Sequence, residues 1–399
     1  MDKCYNIERM LKYFSADYVL PISSPPIRNG VVAIDQDGVI KGVYNSDEAP
    51  IEAEVRKLSG VLVPGFINGH CHLELSYLKG HVPEKQGLVD FLLYVMRHRN
   101  PTAGEEEIEK AMKKADEMMY NNGIQAVGDH VNTALSANIK EKSKIQYHTF
   151  VEIIGLQEEV VGQKIDEAKE IEFYFDHLHS SITLHAPYSC SKSMLTAFKK
   201  SVSERNIISI HNQESEEENI LFRYAKGDFI RFYKEIGVDI SHFKPQARAS
   251  LQYFLPYLPS TNRVILVHNT YTTVKDIDFA LRTRRNVALC ICPKANLYIE
   301  DTLPRLSVIN HGADIIIGTD SLASNDTLDI LEELKVLHQH YPELDFVKTI
   351  QWATLNGAKA LGMEDQLGSL EVGKTPGLVL LKNMKQLHLA EDVKVERIV

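Results

Sequence analysis

His70-Cys71-His72 directly follows the largely apolar run VLVPGFING. In extended backbone, residues two apart point to the same side, so both imidazoles can face one metal ion. The pattern needs weighing, because 16 histidines in 399 residues give roughly half an H-x-H pair by chance, and this chain holds three. His177-Leu178-His179 and His338-Gln339-His340 fall in helical patterns, where side chains two apart diverge; for these a surface or packing role is expected. His211 ends the run IISIH, and Glu214 stands three residues later. A metal lowers the pKa of a bound water, and a nearby carboxylate can carry protons between that water and a substrate, which is hydrolytic chemistry. Taken alone, Glu214 is equally readable as the opening of an acidic helix that continues through Glu216, Glu217 and Glu218. His268 ends VILVH and Asp320 follows IIIGT. A carboxylate there is costly to bury without a cation or hydrogen-bond donors. Any one of these histidines read singly is more readily a satisfied core residue. Ligand-type side chains after several strands together are not explained that way.

The elements that must position these residues are short β-branched runs, each followed by a helix-like stretch. They are Val61 to Asn68, Ile124 to Gly128, Thr149 to Ile154, Ile182 to His185, Ile207 to His211, Val264 to His268, Val287 to Cys292 and Ile315 to Thr319. Continuous apolar runs are buried on both faces, and their alternation with helices implies parallel pairing. The clearest helix is Glu105 to Tyr120, with Ile108, Met112, Ala115 and Met119 on one stripe and Gly123 closing it. Eight units over about 260 residues fit an α/β fold of the closed (β/α)8 TIM-barrel type, with a doubly wound open sheet as runner-up. The barrel is preferred because His70 and His72, His185, His211, His268 and Asp320 all fall at carboxyl ends of runs, and in a closed barrel those ends share one mouth. Segments before residue 60 and after residue 365 carry β-like runs and turns such as Asn29-Gly30 and Asp37-Gly38. The expected organisation is a small β-sandwich domain built from residues 1–60 and 365–399 around a catalytic barrel of residues 61–364.

A composition of 44% hydrophobic and 25% charged residues belongs to a soluble globular chain. The net charge of -10 is spread thinly and no basic block stands out, so nucleic acid and anionic membrane are poor partners. No apolar run is long enough to span a bilayer. Five cysteines without a C-x-x-C pair indicate neither a disulfide framework nor a cysteine zinc knuckle. With the polar opening MDKCYNIER, the expectation is a cytoplasmic protein.

The segments PGFINGHCHLELS, LHAPYSCS, HNQE, LVHN, CPKANLYI and GTDSLASNDTLDILEEL resemble, in order, the motifs of the amidohydrolase superfamily, in particular its deaminase and chlorohydrolase branch. They look closest to adenosine-type, S-adenosylhomocysteine and aminodeoxyfutalosine deaminases, and the likeness runs from about residue 16 to 381. The resemblance implies that His70, His72, His211 and Asp320 bind one divalent metal. It implies further that Glu214 protonates the substrate, His268 holds and polarises the water, and Asp320 doubles as first acceptor of the water's proton. His185 matches a position that contacts the substrate's sugar. Two-metal relatives carry a carboxylated lysine at the end of strand four, where this chain reads Leu184-His185-Ala186, so a mononuclear site is expected. Three histidines and a carboxylate suit Zn2+ and are compatible with Fe2+.

The implied reaction is hydrolytic deamination of an aromatic amine, with an adenine nucleoside such as adenosine or aminodeoxyfutalosine as the small-molecule substrate. The glutamate that contacts ribose in S-adenosylhomocysteine deaminases is absent from GLVDFLLYVMRHRN, leaving Glu74, Arg97 and Arg99 as candidate replacements. The alternatives are an amidase or chlorohydrolase on the same metal site, and a catalytically silent binding relative. An amphipathic stripe over Thr327 to His340 leaves homo-oligomer formation open, though such stripes are more often ordinary barrel packing.

Overall fold

The computed structural model describes residues 11–50, 53–99, 104–283 and 286–399. The polar opening with Cys4 and the end of the segment at Asn100 lie outside them. The chain divides into two compact units: the described residues of 1–68, 117–126 and 329–399, and those of 69–116 and 127–328.

The barrel strands are β1 (Phe66–Cys71), β2 (Ile124–Val131), β3 (Gln146–Ile153), β4 (His179–Leu184), β5 (Ile208–Asn212), β6 (Val264–His268), β7 (Val287–Ile291) and β8 (Asp314–Ile317). They run in the orders β4-β3-β2-β1 and β5-β6-β7-β8. Strand β3 pairs in parallel with β4, with Val151 opposite Ile182, and β5 to β8 pair in parallel throughout. Two seams close the ring. At the first, Thr183 Oγ1 donates to the Ser209 carbonyl (2.6 Å) and His211 N–H to the His185 carbonyl (3.0 Å). At the second, the N–H groups of Thr319 and Asp320 both donate to the His70 carbonyl, at 3.0 and 3.1 Å. The result is the barrel type rather than an open sheet, and the strands' Val, Ile and Leu side chains make up its buried interior.

One expected strand divides. The run Val61 to Asn68 breaks at Pro64-Gly65, where proline lacks the N–H a continuous ladder needs. Val61–Val63 joins a five-stranded sheet with Val379–Lys382, Lys394–Arg397, Tyr18–Val19 and Ile27–Arg28, while Phe66–Cys71 opens the barrel and carries His70 inside the strand. A second sheet contains Lys12–Ser15, Val31–Ile34, Ile40–Tyr44 and Val55–Lys57. Phe14, Val32, Ile34, Leu62, Leu378 and Leu380 share one buried cluster, so strands from both ends of the chain contribute to one small core.

The helix expected near Glu105 runs Glu105–Asn121, with Ile108, Met112, Ala115 and Met119 buried. Helix Ile330–His340 starts at Asp329, whose side chain accepts the Leu331 N–H. His179 corrects one expectation: it opens strand β4 rather than lying in a helix, because it stands opposite His148 in a parallel pairing with β3 that runs on through the β-branched Ile182 and Thr183. His338 is held by Thr349 Oγ1 at 2.8 Å, a packing role. Among the described residues, Cys71, Cys190, Cys290 and Cys292 are buried thiols that form no disulfide.

Candidate active site

The mouth of the barrel brings His70, His72, His211, Glu214, His268 and Asp320 together. His72 Nε2 lies 3.2 Å from His211 Nε2, and Asp320 Oδ1 lies 3.6 and 3.7 Å from His70 Nε2 and His72 Nε2. Zinc–nitrogen bonds of about 2.0–2.1 Å in a tetrahedron place neighbouring donor atoms about 3.3 Å apart, so this spacing fits a single divalent ion. Two imidazole nitrogens facing each other with a carboxylate beside them also make a donor set that a cation would complete. The neighbouring pair is Glu214 Oε1 and His268 Nε2, 3.6 Å apart.

Local backbone turns these side chains inward. His268 has φ 72° and Asp320 φ 56°, with Gln213 at 46° and Asn269 at 58°. Left-handed backbone at residues other than glycine costs about 1–3 kcal/mol each and persists only where the surroundings enforce it. The rings are then fixed by hydrogen bonds behind them. His211 Nδ1 donates to the His185 carbonyl at 2.7 Å, which leaves Nε2 as the lone-pair atom facing the centre. His268 Nδ1 meets Asn296 Oδ1 at 3.0 Å, with the same consequence for its Nε2. Asp320 Oδ2 accepts the Ser324 hydroxyl at 2.6 Å.

Burial pushes His70 and His72 well below the ordinary imidazole range and brings His211 down to about 4. Neutral imidazole is the form that ligates a metal. Glu214 moves the other way: burial, then the nearby charge of Asp320, raises its carboxyl well above the usual range, which favours the protonated form. For Asp320 burial pulls upward, but His72, His268 and the Ser324 hydroxyl outweigh it and hold the carboxyl below its usual value.

Beside this cluster opens a cavity of about 190 Å³, lined by His72, His185, His211, Glu214, His268 and Asp320 on one side. Its other wall is apolar, formed by Leu88, Phe91 and Val95 of helix Leu88–His98 together with Tyr188 and Phe232. His185, on the turn after β4, is hydrogen-bonded through Nδ1 to Ser189 Oγ at 2.9 Å. Of the three candidate replacements for the missing glutamate, only Arg99 lines the cavity, where it donates to Asn132 Oδ1. Glu74 is buried and spent on the Asn132 and Thr133 N–H groups (3.0 and 3.2 Å) and the Thr133 hydroxyl. Arg97 pairs with Glu235 at 2.7 Å on the surface.

Two residues of this mouth are absent from the sequence-derived set. His130 sits beside His70, with ring centroids 4.5 Å apart. Both of its nitrogens are engaged, Nδ1 by Glu152 Oε1 at 2.9 Å and Nε2 by Ser209 Oγ at 2.8 Å, so it supports the site rather than offering a lone pair. Glu152, on β3, also approaches His211 Nδ1 at 3.6 Å and lines the cavity. Strand β2 extends three residues past its apolar run to include His130, and Glu152 lies inside a run otherwise read as core. The available signal was a polar residue within an apolar strand, which is costly to bury without a partner.

Comparison with known proteins agrees with this geometry. The amidohydrolase family model matches residues 61–397, and the chain belongs to that family of hydrolases, here one acting on carbon–nitrogen bonds. It is similar to an adenosine deaminase of Helicobacter pylori, 28% identical over 328 residues that cover 80% of this chain and 78% of that protein. It is similar also to a 5-methylthioadenosine/S-adenosylhomocysteine deaminase of Moorella thermoacetica, 25% identical over 404 residues, covering 95% and 87%. Among solved structures, the Helicobacter pylori aminofutalosine deaminase in complex with methylthio-coformycin shares the fold with a TM-score of 0.78 at 22% identity, covering 94% of this chain and 93% of that one.

Proposed function

We propose that this protein hydrolytically removes the 6-amino group of an adenine nucleoside, releasing ammonia. The observation that carries the reading is a buried Glu214 whose Oε1 lies 3.6 Å from His268 Nε2, next to four converging candidate metal donors. His70, His72, His211 and Asp320 would hold one divalent ion, and Zn2+ suits three imidazoles and a carboxylate best, ahead of Fe2+. When bound, that ion supplies a Lewis acid and lowers the pKa of water at its open position. His268 Nε2 accepts a hydrogen bond from the attacking water and orients it. Asp320 takes the first proton. Glu214 gives its proton to the ring nitrogen beside the amine-bearing carbon, so that carbon becomes electrophilic. As water adds, Asp320 passes the proton it took to the amine, the C–N bond breaks and ammonia leaves, and the remaining hydroxyl proton returns to Glu214 as the C=O bond forms. His185 faces the sugar, and the apolar wall receives the substituent beyond it.

The small core shared by both chain ends supports reading residues 1–60 and 365–399 as one β-sandwich domain and residues 61–364 as the catalytic barrel. A cytoplasmic protein with a small-molecule partner, and neither nucleic acid nor membrane, completes the reading, supported by the thinly spread charge of -10. Among the described residues, no helix is long and apolar enough to cross a membrane.

The test is an ammonia-release screen of metal-loaded protein with adenosine, aminodeoxyfutalosine, guanine and S-adenosylhomocysteine. Release from an adenine nucleoside, abolished by a chelator and restored by Zn2+, is the expected result. Activity confined to amides or chloro-substituted rings would move the protein to the other branch of the family.

A further inference from the structure

We propose that Glu300 is a positioning residue that latches the apolar wall of the cavity to the helix behind His268, and through that wall sets how firmly an apolar substituent of the nucleoside is held. This deepens the deaminase reading and rests on it for the substrate. The wall helix Leu88–His98 begins without a cap of its own. Its N-cap is Gly87, whose φ of 79° suits glycine and which has no side chain to offer. The N–H groups of a first helical turn lack partners within the helix, and Leu88 N–H finds one 212 residues away, where Glu300 Oε1 accepts it at 2.8 Å. A carboxylate also suits the positive end of the helix dipole. Backbone bonds run alongside: Gly87 N–H donates to the Ile299 carbonyl at 3.0 Å, and Lys85 N–H to the Tyr298 carbonyl at 2.6 Å. Two further attachments of the wall helix, Asp90 to Arg231 at 2.9 Å and Arg97 to Glu235 at 2.7 Å, are surface ion pairs of a kind that contributes little.

Glu300 closes helix Pro293–Glu300, and the same helix serves the mouth of the barrel one turn earlier, where Asn296 Oδ1 meets His268 Nδ1 at 3.0 Å. The second carboxylate oxygen, Oε2, accepts the Tyr271 hydroxyl at 3.2 Å. Tyr271 N–H in turn donates to the carbonyl of Gln213, the neighbour of Glu214, at 2.9 Å. One carboxylate therefore ties the wall to the segments after β5 and β6 that carry Glu214 and His268. Leu88, Phe91 and Val95 lie on one stripe of the wall helix and line the cavity, whereas Glu300 does not. Glu300 acts through the helix: a shift of its first turn moves the surface on which a substituent packs.

The experiment compares KM and kcat for adenosine and for 5′-methylthioadenosine, whose sugar carries an apolar substituent, in metal-loaded wild type, Glu300→Ala and Glu300→Gln. Amide hydrogen exchange at Leu88 and Phe91 is measured for each. Glu300→Gln keeps an acceptor for Leu88 N–H, and both variants lose the charge that helps to push the Glu214 carboxyl upward. A change in kcat common to the two reports that charge, and the difference between them reports the latch. Glu300→Ala should speed exchange at the first turn about 2- to 30-fold, the range for a lost helix cap, and raise KM for 5′-methylthioadenosine within the same range. KM for adenosine, which places only a hydroxyl toward the wall, should change less than about 2-fold, and Glu300→Gln should stay near wild type in exchange and in both KM values. Tyr271→Phe loosens the same carboxylate with the cap in place and should shift exchange and KM the same way by a smaller factor, which keeps the test open should the alanine variant fold poorly. Unaltered exchange in Glu300→Ala, or an equal rise in KM for both nucleosides, would overturn the proposal. Absence of ammonia release from either nucleoside would count against the deaminase reading, while the exchange comparison would still decide for or against the latch.

Discussion

Glu214 is pushed toward its protonated form because it has left water for a site already holding another carboxylate, Asp320. A general acid needs that: a group charged at working pH has nothing to donate. Glu214→Gln preserves shape and some hydrogen bonding while removing the transferable proton. We expect kcat to fall about 10²- to 10⁴-fold with bound metal, assayed by elemental analysis, unchanged, since Glu214 is not among the four proposed ligands. Near-normal turnover would rule out the proton transfer assigned to it. At this scale much of the site was legible in the sequence. His70, His72, His211, His268 and Asp320 each end or follow an apolar run, where a polar residue announces itself. His130 and Glu152 did not stand out, because a polar residue within a strand gives no hint of which partner satisfies it.

At the scale of elements, the site depends on how strand β8 returns to β1. Gly318 sits at that seam, its N–H donating to the Ile291 carbonyl at 3.0 Å. A methyl group there would stand 2.9 Å from His70 Cβ and Cys290 Sγ and 3.0 Å from Cys292 Sγ, closer than carbon and sulfur pack. Gly318→Ala should therefore press directly on the first imidazole. Overpacking of this kind costs about 1–3 kcal/mol, and we expect a lower thermal midpoint together with weaker Zn2+ binding in a competition titration. Unaltered zinc affinity would show that His70 is not held through this contact. The glycine is visible in the sequence as part of IIIGT, but not its reason: the crowding comes from β1 and β7, remote in the chain.

For the whole molecule, buried histidines set the response to acid. His148 is buried on β3 with Nε2 on Ser181 Oγ at 3.0 Å, and burial, followed by His179 and Lys140, brings it down to about 3 from an ordinary value of 6.5. The folded chain keeps this ring neutral, whereas the unfolded chain takes up a proton below pH 6.5. Between those values the unfolded state binds more protons, so the stabilisation is complete above pH 6.5 and is lost as pH falls toward 3. Urea unfolding at pH 7, 6 and 5 should show stability decreasing with acidification. Replacing His148 by Gln, which retains a partner for Ser181, should flatten that slope by up to about 1.4 kcal/mol per pH unit. Identical slopes in the two proteins would contradict this account.

What the sequence determined by itself was the alternation of apolar runs with helices, and hence the barrel type, the mouth at the strands' carboxyl ends, and the candidate metal-donor residues placed there. Those features are local: periodicity, run length and the residue that closes each run are all written within a few positions. The tertiary structure alone decided that Pro64-Gly65 parts Val61–Val63 from the barrel, that Glu74 is consumed by the Asn132–Thr133 backbone while Arg99 reaches the cavity, and that Glu152 meets His130 at the mouth. Each of these depends on which distant group comes to lie within hydrogen-bond reach, and the chain settles that only when the barrel closes and brings strands far apart in sequence side by side.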